Sequence, residues 1–324
     1  MALNPLEAQL AWVAPRFEDV GDGMTSDLAV LLAAKHDATS LLSAIDRTAT
    51  SRGRRSTGAV SAEGWRLLER ALDAGRDVVA VAIGASALAA PSRDEARAVA
   101  SARAAGVAVV AVHDGEIAAR VGGRNFGAML ALVGASAGVW DGSGAQAILD
   151  HAVGNDVIGA GVVVVERVLD PGNLGTIART AAALGYCGLI AVDGTDPMHP
   201  KALRTSMGAL FSLPAAVWSG SLPSLLEAVH SAGGVTVAAC LDGEPLAGFC
   251  ARAALPVHAS RVVLLGSEAH GLREETVRAA TARVAIEMPG ASATVDSLSV
   301  GAAAAVILWA LRPATLLAPR SRLP

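Results

Sequence analysis

The apolar run "VIGAGVVVV" (residues 157–165) is followed, three residues on, by "LDPGNLGTIARTAAALG" (residues 169–185). The first stretch predicts a strand buried on both faces. The second opens on Asp170-Pro171-Gly172-Asn173, turn chemistry in which Pro presets φ and Gly or Asn accepts a positive φ. A helix is expected over 174–184, apolar apart from Thr176, Arg179 and Thr180. Strand, glycine-rich turn and helix, in that order, is where α/β proteins place an anion or a nucleotide. The spacing here is not GxGxxG and no GK[ST] follows, which disfavours a dinucleotide or nucleoside-triphosphate site. Arg179, on a short helix packed against a sheet, needs a carboxylate or a phosphate as partner. An ordinary ion pair is the simpler of those readings.

The alternation continues outward from this stretch. Strands are predicted at 157–165, 187–192, 235–240, 261–265 and 283–288, with helices at 174–184, 200–210, 222–231, 271–280 and 300–311. Such alternation implies a parallel sheet covered on both faces, with ligands outside the carboxyl ends of its strands. Upstream, helices at 63–75 and 92–106 alternate with strands at 77–84 and 107–113, a smaller α/β sandwich. The expected division is a helical extension over 1–45, a small α/β domain over 46–135, a linker over 136–155, a larger α/β domain over 156–314 and a tail over 315–324. The linker reading rests on the Gly-, Ser- and Ala-rich "VGASAGVWDGSGAQ" (residues 133–146).

Composition narrows the function. Aromatic residues make up only 3% of the 324, which argues against recognition by stacked Phe and Tyr platforms. The net charge of −4 counts against a strongly basic nucleic-acid binder, although local patches matter more than the sum. One such patch is "TSRGRRSTG" (residues 50–58), whose Arg52, Arg54 and Arg55 could contact RNA or simply form a solvated linker. Cys187, Cys240 and Cys250 are widely spaced without a CxxC, so they read as small buried hydrophobes and no metal site is expected. No secretory signal opens the chain, and "VGAAAAVILWAL" (residues 300–311) is too short to span a bilayer. That segment reads as a helix buried in a core or a subunit interface, and the protein as soluble and cytoplasmic.

Two further segments carry chemistry. In "VVLLGSEAHGL" (residues 262–272) a strand runs into a turn bearing Glu268, which could pair an arginine, orient a substrate hydroxyl or satisfy a helix N-terminus. His270 is assigned no role. In "AIEMPGASATVDSLSVGAAAAVILW" (residues 285–309) a strand ends at a Pro-Gly turn, and Asp296 or Ser297 can cap the terminal helix.

Read together, these segments are more specific than any one of them. Asn-x-Gly-x-x-x-Arg-Thr-Ala, then Leu-Gly-Ser-Glu-x-x-Gly-Leu, then Ser-Leu-x-Val-x-x-Ala-Ala, with "KALRTSMGALFSLP" (residues 201–214) between the first two, resembles the SpoU-type (TrmH) family of SPOUT methyltransferases. The resemblance covers roughly 156–313, and the segment beginning at Ser51 is similar to the start of a ribosomal-protein-L30-like substrate domain. It implies a parallel α/β sheet whose C-terminal segment forms a trefoil knot, an exception to the rule against knotted chains. It also implies a homodimer that uses S-adenosylmethionine to methylate a ribose 2′-hydroxyl of RNA, ribosomal RNA ahead of transfer RNA. Carried over by position, Asn173, Arg179 and Glu268 are the catalytic residues. Leu241, Gly243, Leu265, Gly266, Ile286, Met288, Ser297, Leu298 and Ser299 would hold the cofactor, and Lys201 and Arg204 join Arg52, Arg54 and Arg55 as RNA contacts. Two positions depart from the family pattern. Glu287 stands where Pro is usual, beside the expected cofactor loop, and Ser299 stands where Asn is usual. A knotted RNA-binding protein without catalysis and, more remotely, a Rossmann-type oxidoreductase are the alternatives, the latter weakened by the missing GxGxxG.

Overall fold

The computed structural model describes residues 37–313 except 122–126, 137, 154–158, 253–258 and 291–296. Residues 1–36 of the expected 1–45 extension, the tail from 315 and the Asp296 cap lie outside the described residues. The chain forms two compact units, one of residues 1–137 with 198–212, the other of 138–197 with 213–324.

The first unit begins with α1 (Ala38–Thr48), capped by Asp37, whose carboxylate accepts from the amides of Thr39 and Ser40. Next come α2 (Ser51–Thr57), β1 (Ala59–Glu63), α3 (Trp65–Asp73), β2 (Val78–Gly84), α4 (Ala85–Ala89), α5 (Arg93–Ala104), β3 (Ala108–Val112), α6 (Asp114–Arg120) and β4 (Met129–Gly134). The four strands pair in the order β1-β4-β2-β3, antiparallel except for β2 with β3. Leu41 and Ile45 of α1 and Ile117 of α6 pack with Val79, Leu130 and Leu132 in one core cluster. The hydrophobic pattern gave away the helices at 65–73 and 93–104 and the strands at 78–84 and 108–112. It missed β1 and β4.

The basic cluster is a helix, α2, and its three arginines do not share a fate. Arg54 is only 1% exposed, and its Nη1 donates to the carbonyls of Thr48 (2.8 Å) and Ala49 (3.2 Å) at the end of α1. A guanidinium is tolerated inside because these carbonyls satisfy it, so Arg54 is removed from the RNA-facing set. Arg52 and Arg55 remain exposed.

The second unit continues with α7 (Ser143–Val153), β5 (Gly161–Glu166), α8 (Pro171–Ala183) and β6 (Gly188–Val192). Two short helices, α9 (Pro200–Thr205) and α10 (Ala209–Ser212), then belong to the first unit. There Arg204 pairs at 2.6 Å with Glu63, a carboxylate only 9% exposed that requires a cation. Arg204, expected to face RNA, is therefore committed to Glu63, while Lys201 lies half-buried on the same helix. Burial also lowers the Arg76 guanidinium to about 10, where it donates to the carbonyl of Phe211 (2.6 Å) and to Ser136.

The chain returns to the second unit with β7 (Ala215–Trp218), α11 (Leu222–Ser231), β8 (Val235–Pro245), α12 (Leu246–Ala251), β9 (Arg261–Leu265), α13 (Glu274–Ala279), β10 (Ala282–Ala285) and α14 (Val300–Ala310). All five pairings of the six-stranded sheet, β10-β8-β9-β5-β6-β7, are parallel. β7 is absent from the expected set because four residues are too few to establish a period. Most of the segment read as a linker is α7, whose Ile148 and Leu149 are buried, with the Ile148 side chain meeting the backbone at Gly188 of β6. Among the cysteines Cys187 alone is buried; Cys240 is half-buried and Cys250 exposed, so the reading as buried hydrophobes holds for one of three. The terminal helix is also only half covered. Ile307 and Leu308 face inward, whereas Val306 (43% exposed) and Trp309 (59%) do not.

Replacing Ile148 by Ala should lower unfolding free energy by about 2–5 kcal/mol in chemical denaturation. A change under about 0.5 kcal/mol would return the segment to linker status. In the native protein a thiol reagent should modify Cys250 first and Cys187 only on unfolding, since burial pushes the Cys187 thiol up to about 12.

Candidate active site at the carboxyl ends of β5 and β9

Strands β5 and β9 are neighbours in register, Val165 beside Leu265, so the segments leaving their carboxyl ends start side by side. This is where an open parallel sheet reverses its strand order and forms a crevice. The segment after β5 is the substrate-loop candidate. Asp170 caps α8 by accepting from the amide of Asn173 at 2.9 Å, and Pro171 occupies the first helical position. The expected turn at 170–173 is thus the cap and first turn of the helix. Left-handed backbone falls instead on Arg167 (φ 58°) and on Asp193 (φ 49°) after β6. The Asp170 carboxylate fills the end of the helix dipole where an anion would otherwise sit, so this N-terminus is not a phosphate cradle.

Asn173 Nδ2 donates to Glu268 Oε1, which joins the first motif to the second. Arg179 lies one and a half turns further along α8, exposed, and makes no hydrogen bond or ion pair to any described residue. Among the described residues the ion-pair reading of Arg179 is therefore not realised.

The segment after β9 folds back sharply. A Cβ at Gly266 would lie 2.1 Å from the carbonyl carbon of Gly271 and 2.2 Å from the nitrogen of Leu272, so only glycine fits. Gly271 closes the turn at φ 61°, and the backbones of Ser267 and Gly271 pair in an isolated bridge.

A polar set that the sequence did not reveal holds these segments together. Glu166, the last residue of β5, is fully buried. Its carboxylate accepts from the Arg273 amide (2.7 Å), from Arg273 Nη1 (3.2 Å) and from the Thr276 hydroxyl (3.0 Å). Arg273 also reaches Asp193 at 2.6 Å, and Arg167 Nη2 donates to the carbonyl of Gly271 at 3.1 Å. Across the loop, Thr195 donates its amide to Val168 (2.9 Å) and its hydroxyl to Leu169. One signal was present: a glutamate ending a run of four valines is a charge in a strand buried on both faces, and such a charge requires a partner.

Beside this crevice lies a cavity of about 690 Å³. Of the nine residues expected to hold a cofactor, Leu241, Leu265, Gly266, Ile286, Met288, Ser297 and Leu298 line it. Leu241 is 80% and Leu298 40% exposed, apolar walls that lack a cover. The other two do structural work. A Cβ on Gly243 would lie 2.5 Å from the carbonyl carbon of Val284, so Gly243 permits the close approach of β8 to its parallel neighbour β10 where their register shifts. Ser299, rather than Ser297, caps α14 by accepting from the amide of Ala302 at 3.3 Å. Glu287, whose chain neighbours Ile286 and Met288 line the cavity, itself lines an adjoining groove with Trp309 and Arg312. His270, Arg278 and Arg283 also border the cavity, as does Cys240, whose thiol burial and then Asp242 push up to about 11. Among the described residues no cluster of His, Cys, Asp and Glu could hold a metal, and no helix is long and apolar enough to cross a membrane.

Residues 160–309 match the model of the SpoU rRNA Methylase family. Over 180 residues the chain is 32% identical to the 23S rRNA (guanosine-2′-O-)-methyltransferase RlmB of Xylella fastidiosa, covering 55% of this chain and 67% of that one. It is 34% identical over 153 residues to the 23S rRNA (uridine(2479)-2′-O)-methyltransferase of Streptomyces viridochromogenes, covering 46% and 52% respectively. The crystal structure of an AdoMet-bound rRNA methyltransferase from Sinorhizobium meliloti superimposes with a TM-score of 0.67 at 26% identity, covering 86% of this chain and 95% of that one. The fold and the motifs define a SPOUT-type α/β protein, and the chain belongs to the SpoU rRNA methylase family. It spans about half the length of several curated relatives it matches, 52% to 57%.

Ser299→Asn should leave the melting temperature unchanged, because Asn caps a helix as well as Ser does, whereas Ser299→Ala should destabilise by about 1 kcal/mol. Equal melting curves for wild type and the Ala variant would remove the capping role. Gly266→Ala should open the turn and abolish ligand binding in the cavity even where the variant stays folded by circular dichroism.

Proposed function

We propose that the protein transfers a methyl group from S-adenosylmethionine to a ribose 2′-hydroxyl of RNA, with ribosomal RNA as the substrate. One observation carries this reading: Asn173 and Glu268 meet at the carboxyl ends of adjacent strands, beside a cavity lined by seven of the expected cofactor residues, with an exposed Arg179 further along the helix that carries Asn173. A cavity of this size and apolar lining fits a nucleoside-sized ligand, and the uncovered Leu241 and Leu298 fit the faces of a purine.

When bound, the cofactor supplies a methyl already activated on a sulfonium, so the protein's task is alignment and proton removal. Asn173, fixed by Glu268, orients the target ribose. Arg179 reaches outward from α8 and clamps the adjoining phosphate with two donors while polarising the hydroxyl. Arg179 acts as a clamp, and the proton that the hydroxyl loses as the methyl arrives passes to solvent water. Exposed Arg52 and Arg55 of the first unit, read as an L30-like substrate domain, contribute RNA affinity through phosphates. The C-terminal segment through α14 is read as the knotted element. The uncovered Val306 and Trp309 on its outer face support a homodimer formed through this unit. The protein is placed in the cytoplasm, with its RNA.

Calorimetry should detect S-adenosylmethionine binding, and tritiated methyl should appear in ribosomal RNA at a single 2′-O position. Cofactor binding without transfer to any RNA would favour a knotted RNA-binding protein that lacks catalysis. Arg179→Lys retains charge but loses the fork, so kcat should fall by about tenfold or more; near-normal transfer would take Arg179 out of the chemistry. Neutralising Arg52 and Arg55 together should lower the slope of log affinity against log salt by about 1.5.

A further inference from the structure

The reaction outlined above makes no use of Glu166 or Arg167, although four hydrogen bonds run from their side chains to residues 271–276. The segment they grip ends the turn that lines the cavity, and the same turn carries Glu268, the acceptor of Asn173. Directly after Arg167 comes the loop that leads to Asn173 and Arg179. Cofactor wall and substrate loop are thus fastened to each other at Glu166, at Arg167 and again at Asn173. Arg167 holds its place against the backbone, at φ 58°, with its Nε buried and without an acceptor. A non-glycine residue in left-handed backbone that also strands a buried donor persists only where its surroundings over-determine it.

Accepting the methyltransferase reading, we propose that Glu166 and Arg167 are positioning residues that couple the two ligands: movement of the 266–272 turn on cofactor binding is passed to Asn173 and Arg179. Each ligand then tightens the other's binding by the same factor, as linkage requires. The turn is set from β5 at Glu166 and Arg167, so ordering it for one ligand presets it for the other. Thr276 and Asp193 hold Arg273 and the carboxylate in place, which keeps this hinge one rigid piece.

The test measures S-adenosylmethionine affinity by calorimetry, with and without a saturating ribosomal RNA fragment that the wild type methylates. The full chain is compared with Arg167→Gly and Glu166→Gln. Wild type should bind the cofactor at least about fivefold more tightly when RNA is present. Arg167→Gly relieves the left-handed strain, so its melting temperature should stay within about 2 °C of wild type. Its RNA-dependent gain in cofactor affinity should nevertheless fall to under twofold, with RNA affinity in the absence of cofactor unchanged. A merely structural role would move the melting temperature and leave that ratio intact. Glu166→Gln keeps the shape and removes the charge, and it should lose the ratio as well; if it does not fold, Arg167→Gly alone decides. A variant that keeps the wild-type ratio, or a wild type with no ratio at all, overturns the coupling while leaving the methyltransferase reading standing. A wild type that neither binds the cofactor nor methylates RNA overturns both.

Discussion

The parallel pairing of β5 with β9 places everything else at this site. In a parallel pair the carboxyl ends point the same way about 4.8 Å apart, so whatever follows Val165 and Leu265 must share one crevice. The two strands are about a hundred residues apart in the chain, and the sheet reaches this adjacency by growing outward from β5 on one side and inserting β9 on the other. Without that order Asn173 and Glu268 would not meet, and the turn at Gly266 would face no substrate loop. The crevice follows from strand order, as in other open α/β sheets.

Rigidity there comes from satisfying charges that the sheet buries. Glu166 is enclosed at the top of a strand otherwise made of valine, and its three donors come from the element that follows the β9 turn. A buried carboxylate that lost those donors would be strongly destabilising, which makes the arrangement all-or-none. By contrast Arg179 has been left unpaired on an exposed helical face. Arg54, Arg76 and Arg204 have carbonyl, hydroxyl or carboxylate partners, whereas Arg179 has none among the described residues.

Much of this was legible in residue order. Hydrophobic periodicity located the principal strands and helices of the second unit, because a parallel sheet reads as short all-apolar runs between amphipathic helices. It failed at β1, β4 and the four-residue β7, and at α7, where glycine and serine suggested a linker but Ile148 and Leu149 found a core. The motifs nominated Asn173 and Glu268, which the fold brings into contact, and seven residues that line one cavity. They could not separate Gly243 and Ser299, which serve packing and capping, from residues that face the cavity. Nor could they distinguish Arg54 and Arg204 from exposed arginines, since charge alone does not say which side chains have partners inside.

The sequence by itself therefore determined the α/β class and the family motifs. These depend on local pattern and on chemistry written in side chains. Only the tertiary structure decided which arginine is free, which carboxylate is buried and which wall Glu287 faces. For Glu166 and Arg204 the partners are brought together by the fold over separations of more than a hundred residues, and no short window along the chain contains both.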